Sequence, residues 1–387
     1  MSSGAKIVSH IIPEVTPGTT PTTGTWNTLR LTGNALTPTV NTVVSDEITA
    51  SRVSQGSVAT SVDIAGDLAA EFSYGSFDEL LEAAFYGVWT ANVLTVGDVR
   101  HTFSIAKGYT DVGVYSLFKG AHVSTFALDI PADGKITATF NMACLDYADS
   151  DAPLVAAPAD PTTTPFLSQN NVGTILVDGA SLEGSACVSA MTINLDNSLQ
   201  AQRCIGSDKL GPGAQIATEA AITGTITLAW SARAWEIWKN TFTRVPVAIQ
   251  FPITDSLGNK YIFDFPAVEV DGELPSGGKR DLVEVSLNYT VAKISPTITR
   301  VPFAAVTSVS VAPTTASIAV AATRQLTASA LPVEAAQNVT WNSATPGVAT
   351  VSSSGLVTGV SAGSAVITAT SVSDPTKTTT STITVTA

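Results

Sequence analysis

Two octapeptides, Gly66-Asp67-Leu68-Ala69-Ala70-Glu71-Phe72-Ser73 and Gly224-Thr225-Ile226-Thr227-Leu228-Ala229-Trp230-Ser231, decide how this chain is organised. Both alternate with the period of a half-buried strand, and the second follows the first at an offset of 158 residues, Gly66 to Gly224. Each leads into a helical pattern. After the first, Ser76 and Glu79 have the spacing of a capping box, and Phe77, Leu80, Leu81, Ala84 and Phe85 fall on one apolar face. After the second, Trp235, Trp238 and Phe242 repeat the stripe. An aromatic stripe at this spacing is ordinarily core, here one helix packed on a sheet.

A second correspondence lies downstream. Phe126, Leu128 and Ile130 alternate ahead of Pro131-Ala132-Asp133-Gly134-Lys135, as Val270, Gly272 and Leu274 do ahead of Pro275-Ser276-Gly277-Gly278-Lys279. Both turns share the pattern P-x-x-G-K and predict hairpins. The returning strands match once one residue is inserted in the second block: Ile136, Ala138, Phe140 and Met142 against Val283, Val285, Leu287 and Tyr289. Upstream, Ala50-Ser51-Arg52-Val53 resembles Ala201-Gln202-Arg203-Cys204, and polar stretches at 54–65 and 205–223 precede the two strands. Loops of that length without structure of their own are usually functional. Three matches in one order indicate a tandem duplication of a β-sandwich with one flanking helix.

Breaks in composition set the boundaries. Residues 1–25 are rich in Thr, Pro, Gly and Ser and predict an irregular arm. Pro153, Pro158, Pro161 and Pro165 mark a second break, and a third falls near 295–302. The expected organisation is an arm (1–25), a first sandwich (26–152), a linker (153–165), a second sandwich (166–300) and a C-terminal domain (305–387). A chain of 387 residues leads one to expect two or three domains.

Charged residues make up 13% of the chain, about half the usual share. The net charge is −13, and from Val306 onward Arg324, Glu334, Asp374 and Lys377 cancel, so the whole excess lies in the first 305 residues. That balance excludes a basic nucleic-acid footprint. It suits either an unrelated function or a conduit that DNA must pass without sticking. Cys144, Cys187 and Cys204 have no paired spacing and read as buried small hydrophobes in a reducing compartment. Met1 to Trp26 holds a single Lys and no long apolar core, which predicts no secretory signal. No run approaches the roughly 18 apolar residues of a membrane helix. Together these predict assembly in a cytoplasm, with no membrane partner.

Motifs that carry chemistry are missing. His10, His101 and His122 lack a metal-ligand spacing and read as surface or structural histidines. Gly211-Pro212-Gly213 lacks the ending of a phosphate loop, and Ser352-Ser353-Ser354-Gly355 is a turn rather than a nucleophile elbow. Asp78, Glu79 and Glu82 crowd one helix end, where they favour the dipole rather than acid–base work. Asn288-Tyr289-Thr290 and Asn338-Val339-Thr340 match the glycosylation triplet by coincidence. No catalytic, cofactor-binding or metal-binding residue is predicted, and no enzyme.

From Val306 the pattern turns to short strands and regular turns, with Trp341 as the one core tryptophan of a sandwich of about 80 residues. Val339-Thr340-Trp341-Asn342-Ser343, Pro346-Gly347-Val348-Ala349-Thr350-Val351 and Gly355-Leu356-Val357-Thr358-Gly359-Val360 closely resemble the bacterial immunoglobulin-like domain of intimin- and invasin-type surface proteins. That resemblance implies a spacer or a weak adhesive module without catalytic residues. Residues 306–387 could then contact host-surface glycans.

The duplicated segments, 66–85 with 224–242 and 126–144 with 270–289, resemble a siphophage tail tube protein of the larger, duplicated type. The fold class this implies is mainly β: two tandem tail-tube-type β-sandwiches, each with a flanking α-helix, plus the C-terminal immunoglobulin-like sandwich. The resemblance also implies a virion tail component whose sheets face a lumen and close into a ring of six. Rings would stack through the N-terminal arm and a long loop, here 1–23, 54–65 and 205–223. A tape measure protein and a tail terminator are the partners it implies. With two tube domains per chain, three chains would make a pseudo-hexamer, with DNA passing through an acidic lumen and the C-terminal domain outside. The alternative is a phage or bacterial surface or fibre protein that uses its immunoglobulin-like domain for adhesion.

Overall fold

The computed structural model describes residues 3–48, 53, 56–206, 209–333 and 335–387. It divides into two compact units, Met1–Val301 and Pro302–Ala387. In the first half of the larger unit run β1 (Ile7–Glu14), β2 (Thr37–Val44), β3 (Ser57–Glu71), α1 (Asp78–Phe85), β4 (Val93–Thr95), β5 (Thr102–Tyr109), β6 (Val114–Ile130) and β7 (Thr137–Ala143). The second half holds β8 (Leu176–Val177), β9 (Val188–Asp196), β10 (Ala221–Ala229), α2 (Ala232–Trp238), α3 (Asn240–Thr243), β11 (Val247–Thr254), β12 (Lys260–Asp271), β13 (Glu284–Val291) and β14 (Thr297–Val301).

The duplication is visible in the strand registers. In the first half β3 pairs with β7, Leu68 opposite Phe140 and Ala70 opposite Ala138. In the second, β10 pairs with β13, Ile226 opposite Leu287 and Leu228 opposite Val285. These are the residues that the sequence offset matches. The hairpin strands correspond with a shift, however. Asn141 faces Thr125 and Asn288 faces Asp271, so Gly272, not Val270, takes the place of Phe126. The second connection is also no tight hairpin, because β12 ends at Asp271 and β13 begins at Glu284.

Four strands from each half join one antiparallel sheet, in the order β2–β3–β7–β6–β9–β10–β13–β12. The halves meet where β6 pairs with β9: Ile130 faces Met191, Leu128 faces Ile193 and Phe126 faces Leu195. All six side chains are buried, one strip of a core that runs through both halves. Even-numbered residues of β3 and β10 point into that core (Ile64, Leu68, Ala70; Ile222, Ile226, Leu228), as period-two alternation requires. A second layer covers it. Its strands are β1, β5 and the start of β6 in the first half, and β8, β11, the start of β12 and β14 in the second.

The expected irregular arm is corrected here, since Ile7–Glu14 is a strand with eight rungs to β5, and Ile11 and Ile12 are buried. Its place is that of β8 beside β11 in the second half. The linker is corrected too. Ala159 pairs with the backbone of Trp26 and Thr28, Arg30 reaches the Pro161 carbonyl at 3.1 Å, and Phe166 is fully buried. Residues 297–301 are likewise strand rather than break, with β14 pairing β12 on one side and β4 on the other. Of the 54–65 stretch, residues 57–65 belong to β3, and 54 and 55 lie outside the described residues. Within 205–223, Ala214–Ile216 pairs with Gln200–Gln202 and Ala221 begins β10. The match at 50–53 falls largely outside the described residues.

The helices differ from each other. Phe77, Leu80, Leu81, Ala84 and Phe85 are all buried, as the periodicity predicts. The capping box is not formed, because helix α1 starts only at Asp78 and the Ser76 hydroxyl meets Ser73 at 2.8 Å. In α2 the N-cap is Ser231, which accepts from the Ala234 amide. The aromatic stripe is not core throughout: Trp238 is buried, whereas Trp235 is 42% and Phe242 73% exposed. Of the cysteines, Cys144 is buried, which pushes its thiol well above the usual range, whereas Cys187 and Cys204 are exposed.

The smaller unit is an all-β sandwich. One sheet runs Thr315–Ala319, Thr378–Thr386, Gly363–Ser371, Val339–Ser343, its first pair parallel. Trp341 packs against both of its apolar clusters. Gly355, at φ +81°, lets the turn approach the Trp341 ring.

Gly66 and Gly224 recur for a physical reason. A Cβ at Gly66 would run into the Ala35 carbonyl, and one at Gly224 into the Thr192 carbonyl and the Tyr289 phenol. The Tyr289 hydroxyl donates to that Thr192 carbonyl at 2.7 Å, across the glycine. Gly224→Ala should therefore cost about 1–3 kcal/mol through overpacking, read as a lowered midpoint in urea denaturation. Gly347→Ala, where no atom lies within 4 Å of the added carbon, should leave the midpoint unchanged.

Candidate assembly surface

The face of the eight-stranded sheet that turns away from the core is built of Thr, Ser, Asn and acidic residues with small alanines between them. Thr192 and Asn194 lie opposite Thr225 and Thr223, and Thr223, Thr225 and Thr227 lie opposite Thr290, Asn288 and Ser286. Hydroxyls and amides link the strands: Thr192 to Thr225 at 2.9 Å, Thr227 to Ser286 at 3.3 Å, and Asn141 donating to Asp67 at 2.7 Å. β-branched Thr suits a pleated surface, and its hydroxyl keeps that surface wet.

The charge on this face has one sign. Asp63, Asp67, Glu71, Asp129, Asp196, Glu269, Asp271 and Glu284 lie on it, and its strand segments (37–44, 57–71, 122–130, 137–143, 188–196, 221–229, 268–271 and 284–291) contain no Lys or Arg. Among the described residues, the cations that reach it come from connections. Lys135 of the first hairpin pairs with Glu71 at 2.5 Å, Arg203 with Asp63 at 2.5 Å, and Arg244 with Asp271 at 3.9 Å.

Two edges of the sheet are open among the described residues. β2 pairs with β3 alone, and Val40, Val43 and Val44 are exposed along it. At the other end, residues 269–271 of β12 pair with β13 alone. Open edges with apolar side chains are sites where another strand adds.

The halves are also clamped away from the sheet. Tyr261 donates to the Asp78 carboxylate and accepts from the Gly75 amide at 2.8 Å. Arg300 meets Asp78 at 2.6 Å, and its guanidinium lies 4.7 Å from the Trp89 ring centre. Burial first, then the Asp78 charge, holds the Tyr261 phenol far above its ordinary pKa, so it stays a donor. This corrects the assignment of Asp78 to the helix dipole alone. Glu82 accepts the Trp89 amide at 2.8 Å, and burial raises the Glu79 carboxyl, opposed by a hydrogen bond from Asn27. No local pattern in the sequence marks this clamp, because its members lie some two hundred residues apart.

The histidines stay apart. His101 Nε2 meets the Gly87 carbonyl at 2.7 Å, His122 Nδ1 the Gly120 carbonyl at 2.8 Å, and His10 Nδ1 the Thr28 hydroxyl at 3.3 Å. Among the described residues no group of three or more His, Cys, Asp or Glu is placed to hold a metal ion. No helix among them is long and apolar enough to cross a membrane.

Residues 4–291 match the family described as phage tail tube protein. The chain belongs to that family, a structural one whose members self-assemble into the tail of the virion. Residues 305–385 match a second family, the bacterial Ig-like domain (group 2), so this tail tube protein carries the fusion that its sequence resembles. No curated protein matches the chain.

Tyr261→Phe leaves the Gly75 amide and one Asp78 oxygen without a partner and should cost about 1–3 kcal/mol. Hydrogen exchange should locate the loss at β4 and β14, which the clamp adjoins. Uniform loosening that spared those strands would speak against a local clamp.

Proposed function

We propose that this tail tube protein builds a non-contractile tube from stacked rings of three chains, each ring a pseudo-hexamer of six similar halves. The polar, acidic face of the eight-stranded sheet lines the lumen, and DNA passes along it without specific binding. The observation that carries this reading is the absence of Lys and Arg from the strands of that face. Carboxylates within about a Debye length (about 8 Å at physiological salt) repel phosphates, and short Thr, Ser and Asn side chains offer no basic hold. Two alike halves per chain support the stoichiometry, since a closed cyclic trimer then presents six equivalent sectors.

Assembly takes place in the host cytoplasm, with a tape measure protein setting the tube and a terminator ending it. Residues 1–23, 54–65 and 205–223 take part in ring-to-ring contacts. The immunoglobulin-like domain decorates the outside, where its near-neutral surface is free for weak contact with host-surface glycans. The tube itself catalyses nothing.

Negative-stain electron microscopy of the purified chain should show rings or tubes with a central hole a few nanometres wide. Strictly monomeric particles at every concentration tried would contradict the proposal. In the same preparation duplex DNA should not be retained, even at low salt where electrostatic attraction is strongest.

A further inference from the structure

Each half sends a hairpin out of the same end of the eight-stranded sheet. In the second half it is the connection between β9 and β10, where Gln200–Gln202 pairs with Ala214–Ile216. In the first half it is the outer part of β2 and β3. The registers make the two hairpins counterparts, since Thr39 and Pro38 face Asp63 and Ile64 as Asp196 and Leu195 face Ala221 and Ile222. The second hairpin folds back over the end of the first half. Its Leu210 carbonyl accepts the Val62 amide at 3.0 Å, and Pro212 is buried. Gly211 comes so close that an added Cβ would lie 2.4 Å from the Leu145 carbonyl oxygen. Cations on this hairpin meet anions on the rim it covers, Arg203 with Asp63 at 2.5 Å and Lys209 with Asp146 at 3.8 Å.

The first hairpin has no such seat in its own chain. Residues 39–48 and 57–60 are exposed, Val43, Val44 and Val58 among them. Asp46 and Glu47 make no ion pair among the described residues. A matching seat lies at the end of the second half. The Leu145 amide donates to the Lys119 carbonyl at 2.9 Å, and the Ala292 amide to the Ala267 carbonyl at 3.0 Å, so Asp146 and Lys293 hold one place in the two halves. Lys293 and Ile294 are exposed there, and Lys293 too makes no ion pair among the described residues. The charges are exchanged between the two places. The first half offers Asp146 to a hairpin that carries Arg203 and Lys209, whereas the second offers Lys293 and the open hairpin carries Asp46 and Glu47. Asp46 follows Thr39 at the interval at which Arg203 follows Asp196.

We propose that the β2–β3 hairpin of one copy folds over the end of the second half of a neighbouring copy, setting Asp46 and Glu47 against Lys293 and the exposed valines against Ile294. The exchanged charges then fix the order of the halves around the ring. A first-half hairpin on a first-half rim would bring Asp46 and Glu47 to Asp146. A second-half hairpin on a second-half rim would bring Arg203 and Lys209 to Lys293. Exposed ion pairs add little affinity, but like charges brought together exclude the wrong partner. This inference rests on the ring reading and adds the charged surface that decides which half follows which.

The test is a charge exchange in the full chain, with rings counted by electron microscopy over a series of protein concentrations. Lys293→Glu, at an exposed position, should keep the urea midpoint of the unsubstituted chain. At low salt it should raise the concentration needed for rings by about fivefold or more. Asp46→Lys with Glu47→Lys should do the same. All three substitutions together should restore ring formation to within about twofold of the unsubstituted chain. Arg324→Glu, an equal change of charge on the smaller unit, should leave assembly unchanged. Rings that form as readily with Lys293→Glu, or a triple variant that assembles no better than Lys293→Glu alone, overturn the inference and leave the ring reading standing. An unsubstituted chain that makes no rings overturns the ring reading itself.

Discussion

Everything in the larger unit depends on the hydrogen-bonded seam between β6 and β9. Each half alone is a four-stranded open sheet with two edges of unpaired amides and carbonyls, the arrangement most prone to indiscriminate pairing. At the seam one edge of each half satisfies the other, and Ile130, Leu128 and Phe126 fuse their cores with Met191, Ile193 and Leu195. The halves cannot be separate beads on a linker, because the core has no break between them. The Asp78–Tyr261–Arg300 clamp holds the same junction from the opposite layer.

Local periodicity made the sheet legible and left its long-range partners hidden. The strands of β3, β7, β10 and β13 could be read from alternation, and their registers bear out the duplication. Ile7–Glu14 could not, since its stability as a strand comes from β5, nearly a hundred residues later, and not from its own Pro- and Ser-containing sequence. The same limit explains Trp235 and Phe242. A helical stripe marks an apolar face, yet Trp235 and Phe242 remain partly exposed in the chain.

The assembly surface was partly legible too. The alternation of Thr, Ser and Asn with apolar residues in β10 and β13 defines a wet face, and the acidic balance of the first 305 residues is a matter of counting. What the sequence alone cannot place is the charge, because a strand shifted by one residue turns every side chain to the other face. The registers put Asp67, Asp129, Asp196 and Glu284 on one surface, and among the described residues the cations paired with it come from its connections.

If the ring has six sectors, as proposed, a sheet that joins two of them within one chain requires three chains to complete it. Native mass spectrometry of a single ring, released from the tube by mild dissociation, counts them directly. Three chains per ring is the predicted mass. A ring of six chains would mean that each chain supplies one sector, and would contradict the account.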